Sequence, residues 1–130
     1  MSRSTLIGIV LLAVTAAGCS SSRDGTVEQV ADDFRSALRS EDGDAACKEL
    51  SDPVRFELEL SSGATCEVEL RVAELPADGK VRDVTVSGTA AQVRYEDDVI
   101  FLSEFDDGWK IIGAGCLSRS VGPYDCQVGG

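Results

Sequence analysis

Carboxylates are the groups in this chain best suited to proton transfer or metal binding, because the sequence contains 23 Asp and Glu residues and no histidine. Without histidine, the commonest general base near neutral pH, acid–base chemistry would depend on a buried carboxylate with a raised pKa. Three acidic pairs stand out: Asp32-Asp33, Asp97-Asp98 and Asp106-Asp107. Their spacing and the surrounding glycines do not match a calcium loop. The pattern is typical of solvated turns and an exposed helix face, so we predict no metal site and no cofactor.

The hydroxyl and glycine positions predict no catalytic residue either. Ser51, Ser87 and Ser118 lack a G-x-S-x-G context, and no histidine is available to activate them. Gly113 and Gly115, in "GAGC", do not form a phosphate-binding loop. Glycine inside a strand more often marks a bulge or a close approach of two backbones.

The N-terminal segment has the order of a secretory signal: Arg3, a largely apolar run from Leu6 to Ala17, and then small residues. The run is shorter than the roughly 20 residues that span a bilayer. Ala17-Gly18-Cys19 resembles the lipobox of bacterial lipoproteins, although Ala16 stands where that pattern prefers leucine. The alternative is an ordinary signal peptide with an incidental cysteine.

The lipobox resemblance implies a lipidated Cys19 as the mature N-terminus, with acyl chains such as palmitate holding the protein in the cell membrane on its extracytoplasmic face. More than one acyl chain is needed for stable attachment. We therefore expect a lipoprotein signal peptide over residues 1–18, a flexible polar tether over 19–25, and a single domain over 26–130.

Four further cysteines remain, and an even number in an exported chain indicates two disulfides. Three pairings are open. We favour Cys47 with Cys66 and Cys116 with Cys126, because each pair closes a short loop at one end of the domain. A four-thiolate metal site is the rival interpretation, but the close C-x-x-C pairs typical of such sites are absent from the sequence.

The formal net charge of −11 makes nucleic acid an improbable partner, because that binding depends on Lys and Arg neutralising phosphates. An acidic surface would instead keep an exported domain soluble.

Helical signals dominate the first half of the domain. Apolar residues recur at helical intervals from Val27 to Leu38, and Thr26 with Gln29 has capping-box spacing, which predicts a helix over about 26–40. Asp44 would cap a second helix over 45–50, and Pro53 suits the start of a third. The segments 54–60 and 66–75 fit either helix or strand, and we lean towards short helices.

Strand signals dominate the second half. "VRDVTV" and "AAQVRY" alternate about Ser87-Gly88-Thr89, and Asp106-Asp107-Gly108 joins "VIFLSEF" to "WKIIGAG". Helices followed by an antiparallel meander indicate an α+β fold. For the tail after Cys116 no regular element is expected, since Gly122-Pro123 interrupts it.

With "GWKIIGAGC" in place after the helices and the first hairpin, nearly all of residues 26–130 is similar to the nuclear transport factor 2-like family, which includes ketosteroid isomerase. The order of elements, Asp42-Gly43-Asp44 before an Ala-rich helix, and "PYDCQVGG" resemble small actinobacterial lipoproteins of that fold. The resemblance implies a curved sheet around helices, in the cone-like arrangement of a cystatin-like roll, with a central cavity. It carries over no catalytic residue.

Two aromatic residues are candidates for lining or rimming such a cavity. Trp109 follows a hairpin turn, where rim or core packing is the commoner role. Tyr124 would be brought by the Cys116–Cys126 bridge near the open end of the cone, where the tail would act as a rim or plug. The alternative is that the bridged tail is a structural staple only. We therefore expect a non-enzymatic binding or interaction module of the cell envelope, taking a small apolar ligand or an envelope protein. The alternative is a lipid-anchored isomerase-like enzyme acting on a small apolar substrate.

Overall fold

A computed structural model describes residues 20–130, with side chains described from residue 22 onward. Four helices precede five strands, which confirms the α+β class. The helices are α1 (Ser20–Arg39), α2 (Gly43–Glu49), α3 (Asp52–Ser62) and α4 (Cys66–Ala73). The strands are β1 (Val81–Ser87), β2 (Ala90–Tyr95), β3 (Val99–Phe105), β4 (Gly108–Leu117) and β5 (Asp125–Gly129).

Helix α1 begins six residues earlier than the sequence predicts, so the predicted flexible tether is wrong from Ser20 to Gly25, which are helical. Polar contacts of Arg23, rather than an apolar helix face, hold these first turns of α1 on the sheet. The Arg23 guanidinium donates to the Gly88 carbonyl at 2.7 Å and to Glu104 Oε2 at 2.9 Å. Thr26 therefore lies inside the helix, where its hydroxyl donates to the Ser22 carbonyl, and the predicted capping box does not form.

Polar side chains cap the start of two of the three short helices, α2 and α3. Asp42, rather than the predicted Asp44, caps α2 by accepting from the Ala45 N–H. Ser51 caps α3, which has Pro53 in its first turn as predicted. Gly63 ends α3 in the left-handed conformation that glycine adopts without strain. Both segments left open by the sequence, 54–60 and 66–75, contain helix.

The sheet is an antiparallel meander in which each strand pairs with the next along the chain. Both predicted hairpins are confirmed. Strand β5 was not predicted, because its sequence alone carries little apolar periodicity. It forms because Gly113 to Leu117 of β4 offer a pairing edge, with Cys126 directly opposite Cys116.

Both predicted disulfides are confirmed. Cys47–Cys66 joins α2 to the start of α4, and Cys116–Cys126 joins β4 to β5. The core lies between the helices and one face of the sheet, which we call the inner face. Its largest fully buried apolar side chains include Phe34 of α1, Leu50, and Ile100, Leu102 and Ile111 of the sheet.

Candidate functional site: an apolar groove on the outer face of the sheet

An open apolar groove of about 530 Å³ lies on the face of the sheet opposite the core. We call it the outer groove. Side chains alternate along β3, so that Ile100 and Leu102 enter the core while Phe101 and Phe105 lie on the outer face. The volume falls in the range of small-molecule sites, about 300–1,000 Å³. The lining residues are Ser51, Pro53, Val54, Glu57, Phe101, Phe105, Ile112, Pro123, Tyr124, Cys126, Gly129 and Gly130.

A β-bulge in β4 places Ile112 in this groove. Leu102 pairs with Ile111 and Phe101 pairs with Gly113, so Ile112 is the extra residue between two ladder positions. A bulge bends its strand and redirects a side chain. The Ile112 carbonyl accepts from the Gly130 N–H at 3.0 Å, which holds the end of the tail beside the groove.

One wall of the outer groove is the start of α3. Leu50 forms an isolated parallel bridge with Ile111, and the Ser51 N–H donates to the Ile111 carbonyl at 2.9 Å. These bonds fix the first turn of α3 beside β4, with Pro53 and Val54 facing the groove. The exposed Glu57 contributes the one charged side chain among the described lining residues.

The tail forms the opposite wall. The half-buried Tyr124 ring packs edge to face on Phe101, with 5.0 Å between ring centroids. The Cys116–Cys126 bridge lies over Gly113, where a Cβ would stand 3.3 Å from the Cys126 Sγ. Glycine at 113 therefore gives the bridge room to lie close to the sheet, and the bridge holds β5 and Tyr124 in place.

A buried polar network surrounds Arg35 of α1, and none of its residues lines the outer groove. Arg35 of α1 is 1% exposed. Its guanidinium donates to Asp97 Oδ1 at 2.8 Å and to the carbonyls of Pro76 and Gly79. It also lies 3.9 Å from the centre of the Tyr95 ring.

Asp98, which lies in the same network, is buried and almost fully hydrogen-bonded. Its Oδ1 accepts from the Val99 and Cys116 N–H groups, and its Oδ2 accepts from Gly115 N–H and lies 3.9 Å from Arg35 Nη1. Burial raises the pKa of Asp98 above that of an ordinary aspartate, and these N–H groups and Arg35 oppose the rise. Because both carboxylate oxygens already accept hydrogen bonds from the backbone, Asp98 fits a structural role better than that of a general base.

Two neighbours of Arg35 have shifted pKa values in opposite senses. Burial and the hydrogen bond that its hydroxyl donates to Asp32 Oδ1 at 2.7 Å raise the pKa of Tyr95. For Asp97, burial also acts to raise the pKa, but the Gly79 N–H and the Arg35 guanidinium outweigh it, and the pKa falls below the ordinary aspartate value. The prediction of solvated acidic pairs is therefore wrong for Asp98, which is buried and accepts hydrogen bonds from three backbone N–H groups. Asp32 is partly buried and accepts the hydrogen bond of the Tyr95 hydroxyl.

The predicted site residues occupy three different places. Trp109 is 7% exposed and packs in the core, with the Arg23 guanidinium 5.8 Å from its ring centre, so it does not line the groove. Tyr124 lines the groove. Cys19 lies outside the described residues. In residues 20–130 no cluster of three or more Cys, Asp or Glu side chains is placed to hold a metal ion.

Three residues that line the groove, Phe101, Phe105 and Ile112, are not predicted as site residues from the sequence. A signal was available, because "VIFL" at 99–102 is apolar on both faces of its strand. Strands of that kind are covered on both sides. The bulge that admits Ile112 leaves no comparable pattern in the sequence.

Comparisons with models of protein families, with curated proteins and with solved structures gave no match to this chain. Within the part of the chain that the structure describes, no helix combines the length and apolar character needed to cross a bilayer.

Proposed function

We propose that this protein is a lipid-anchored binding module on the extracytoplasmic face of the cell membrane, and that the outer groove binds a small apolar ligand. The groove carries the proposal: it is apolar, of ligand size, and held open by a bulge, a helix cap and a disulfide. The two disulfides support an oxidising location. The lipobox-like Ala17-Gly18-Cys19 supports an acylated N-terminus.

From the resemblance to nuclear transport factor 2-like proteins, we carry only the cone-like shape of the sheet into this proposal. In that family the cavity lies between sheet and helices, whereas core side chains fill that space here. The outer groove is therefore a site of a different kind from the one that the resemblance implies.

Binding fits the geometry better than an isomerase-like reaction does. Such a reaction needs a desolvated carboxylate beside its apolar substrate. Burial raises the pKa of Asp98 and of Glu49, but neither carboxylate lines the outer groove. Glu57 lines the groove but is exposed.

Titration of an apolar fluorescent dye into the protein tests the proposal, using Phe105→Ser and the control Phe56→Ser. Both phenylalanines are exposed, at 38% and 66%, but Phe56 does not line the outer groove. Full burial of a phenylalanine contributes about 1.5–3 kcal/mol, and roughly 1.4 kcal/mol is a tenfold change in affinity. We therefore expect Phe105→Ser to weaken dye binding about tenfold and Phe56→Ser to leave it unchanged. Equal affinities for all three proteins would contradict the assignment.

A further inference from the structure

We propose that the occupant of the outer groove is one acyl chain of an uncharged or zwitterionic lipid, drawn from the membrane that anchors the domain. This inference rests on the proposed function and adds the class of ligand and its source.

The first turn of α1 is bonded to the end of β3, where the outer groove starts. Arg23 binds Glu104, the residue before Phe105, and the Gly88 carbonyl in the neighbouring turn. Cys19 precedes Arg23 by four residues, which span at most about 14 Å even when fully extended. An anchor at Cys19 would therefore hold the β3–β4 turn next to the bilayer, and Phe105 ends β3 at that turn.

The form of the groove supports the same occupant. It starts at Phe105 beside the β3–β4 turn and continues over Phe101 to Tyr124, along one strand of the sheet. Phe105 is 38% exposed at this end, so an apolar chain can enter there without moving a strand. The lining offers an acyl chain apolar contact along its length, while the bound chain leaves its headgroup outside.

The charge around the groove narrows the class of lipid. The turn after Phe105 carries Asp106 and Asp107, both exposed, and Glu57 lines the groove. The whole chain has a formal net charge of −11. These charges repel the carboxylate of a free fatty acid and the headgroups of anionic lipids. An acyl chain carried by a zwitterionic phospholipid avoids that repulsion.

Photo-cross-linking tests this inference with the full-length lipoprotein reconstituted in phosphatidylcholine vesicles. A small fraction of the phosphatidylcholine carries a diazirine near the end of one acyl chain. After irradiation and proteolysis, we expect cross-links on peptides of β3 and of the segment 123–130. Phe105→Asp should lower that yield about tenfold, because it removes an apolar contact and adds a third negative charge at the entrance beside Asp106 and Asp107. Phe56→Asp should leave the yield unchanged.

Cross-links spread evenly over the exposed apolar residues of α3 and α4, or a yield that Phe105→Asp does not lower, would overturn the inference. A second arm measures competition for the bound dye by free palmitate and by phosphatidylcholine vesicles. Stronger competition by palmitate would also overturn it, because the acidic entrance should reject that anion. If the dye binds in a Phe105-dependent manner without groove cross-links, the acyl-chain inference fails and the proposed function stands. If the dye does not bind, both fail.

Discussion

Replacing Arg35 by methionine should destabilise the domain far more than replacing a neighbouring surface arginine. Methionine keeps an extended side chain but removes the charge that faces Asp98, whose side chain is 2% exposed. Breaking a buried ion pair by removing one partner costs about 3–5 kcal/mol. At about 4 °C per kcal/mol for a domain of this size, the midpoint of thermal unfolding should fall by roughly 12–20 °C.

The matched control is Arg39→Met, one turn further along α1. Arg39 is exposed and makes a single hydrogen bond to the Ala77 carbonyl, so its loss should cost no more than about 1 kcal/mol. Urea unfolding followed by the fluorescence of Trp109, the one tryptophan of the chain, would measure both variants.

A double-mutant cycle with Asp98→Asn separates the ion pair from general packing. Once Asp98 is neutral, the loss of Arg35 should cost at least about 1 kcal/mol less than it does alone. The Arg35→Met variant should also be less destabilised at pH 5 than at pH 8. Arg35 acts to lower the pKa of Asp98, so its removal raises that folded-state pKa further above the unfolded value of about 3.9. A carboxyl group with a raised folded-state pKa adds stability while it is protonated, and that stability is lost as pH rises through the folded-state pKa. A cost below about 1 kcal/mol for Arg35→Met, or strict additivity in the cycle, would refute the reasoning.

Three further predictions concern single features of the chain. Tyr124→Phe leaves Tyr95 as the one tyrosine of the chain. Because the pKa of Tyr95 is raised, phenolate absorbance should appear only above pH 10, the usual tyrosine pKa being about 10, and together with alkaline unfolding. Absorbance that rises at about pH 10 while the protein is still folded would contradict this. The double variant Cys116→Ser/Cys126→Ser should lower the free energy of unfolding by about 2–4 kcal/mol. Its folded molecules should also bind the dye more weakly, since the tail is a wall of the groove. Unchanged dye affinity would make the bridge a structural link only. Metabolic labelling with a fatty acid should tag the wild type and not Cys19→Ala, and equal labelling of the two would disprove lipidation at that residue.

Most of the fold could be predicted from local patterns. The hairpins follow from alternation and from Asp-Gly and Ser-Gly turns, and the first helix follows from the apolar spacing after Val27. Its first turns could not be predicted, because Arg23 is held by residues 65 and 81 positions away in the chain. Strand β5 was missed for a related reason, since its partner strand and its disulfide hold it in place.

The groove and the polar network were the least predictable parts. Asp97 and Asp98 are adjacent in a short connection and look alike in sequence, yet Asp98 is buried and Asp97 is partly exposed. The difference depends on where Arg35 lies, which only the packing of α1 on the sheet decides. In the same way, Ile112 reaches the groove because β4 has one residue more than β3 at the bulge.

The sequential order of the five strands has a consequence for how the chain would fold during the export that we propose. Each strand finds its partner at the next turn, and the disulfides join cysteines 19 and 10 positions apart. Proteins dominated by such nearby contacts fold quickly, and the sheet can grow strand by strand as the chain emerges. The last step differs, since α1 packs on β4 as well as on α2 and β1, so the core between α1 and the sheet closes only after β4 has formed. Translocation from the N-terminus would therefore leave the part of α1 that packs on β4 uncovered until nearly the whole domain has crossed.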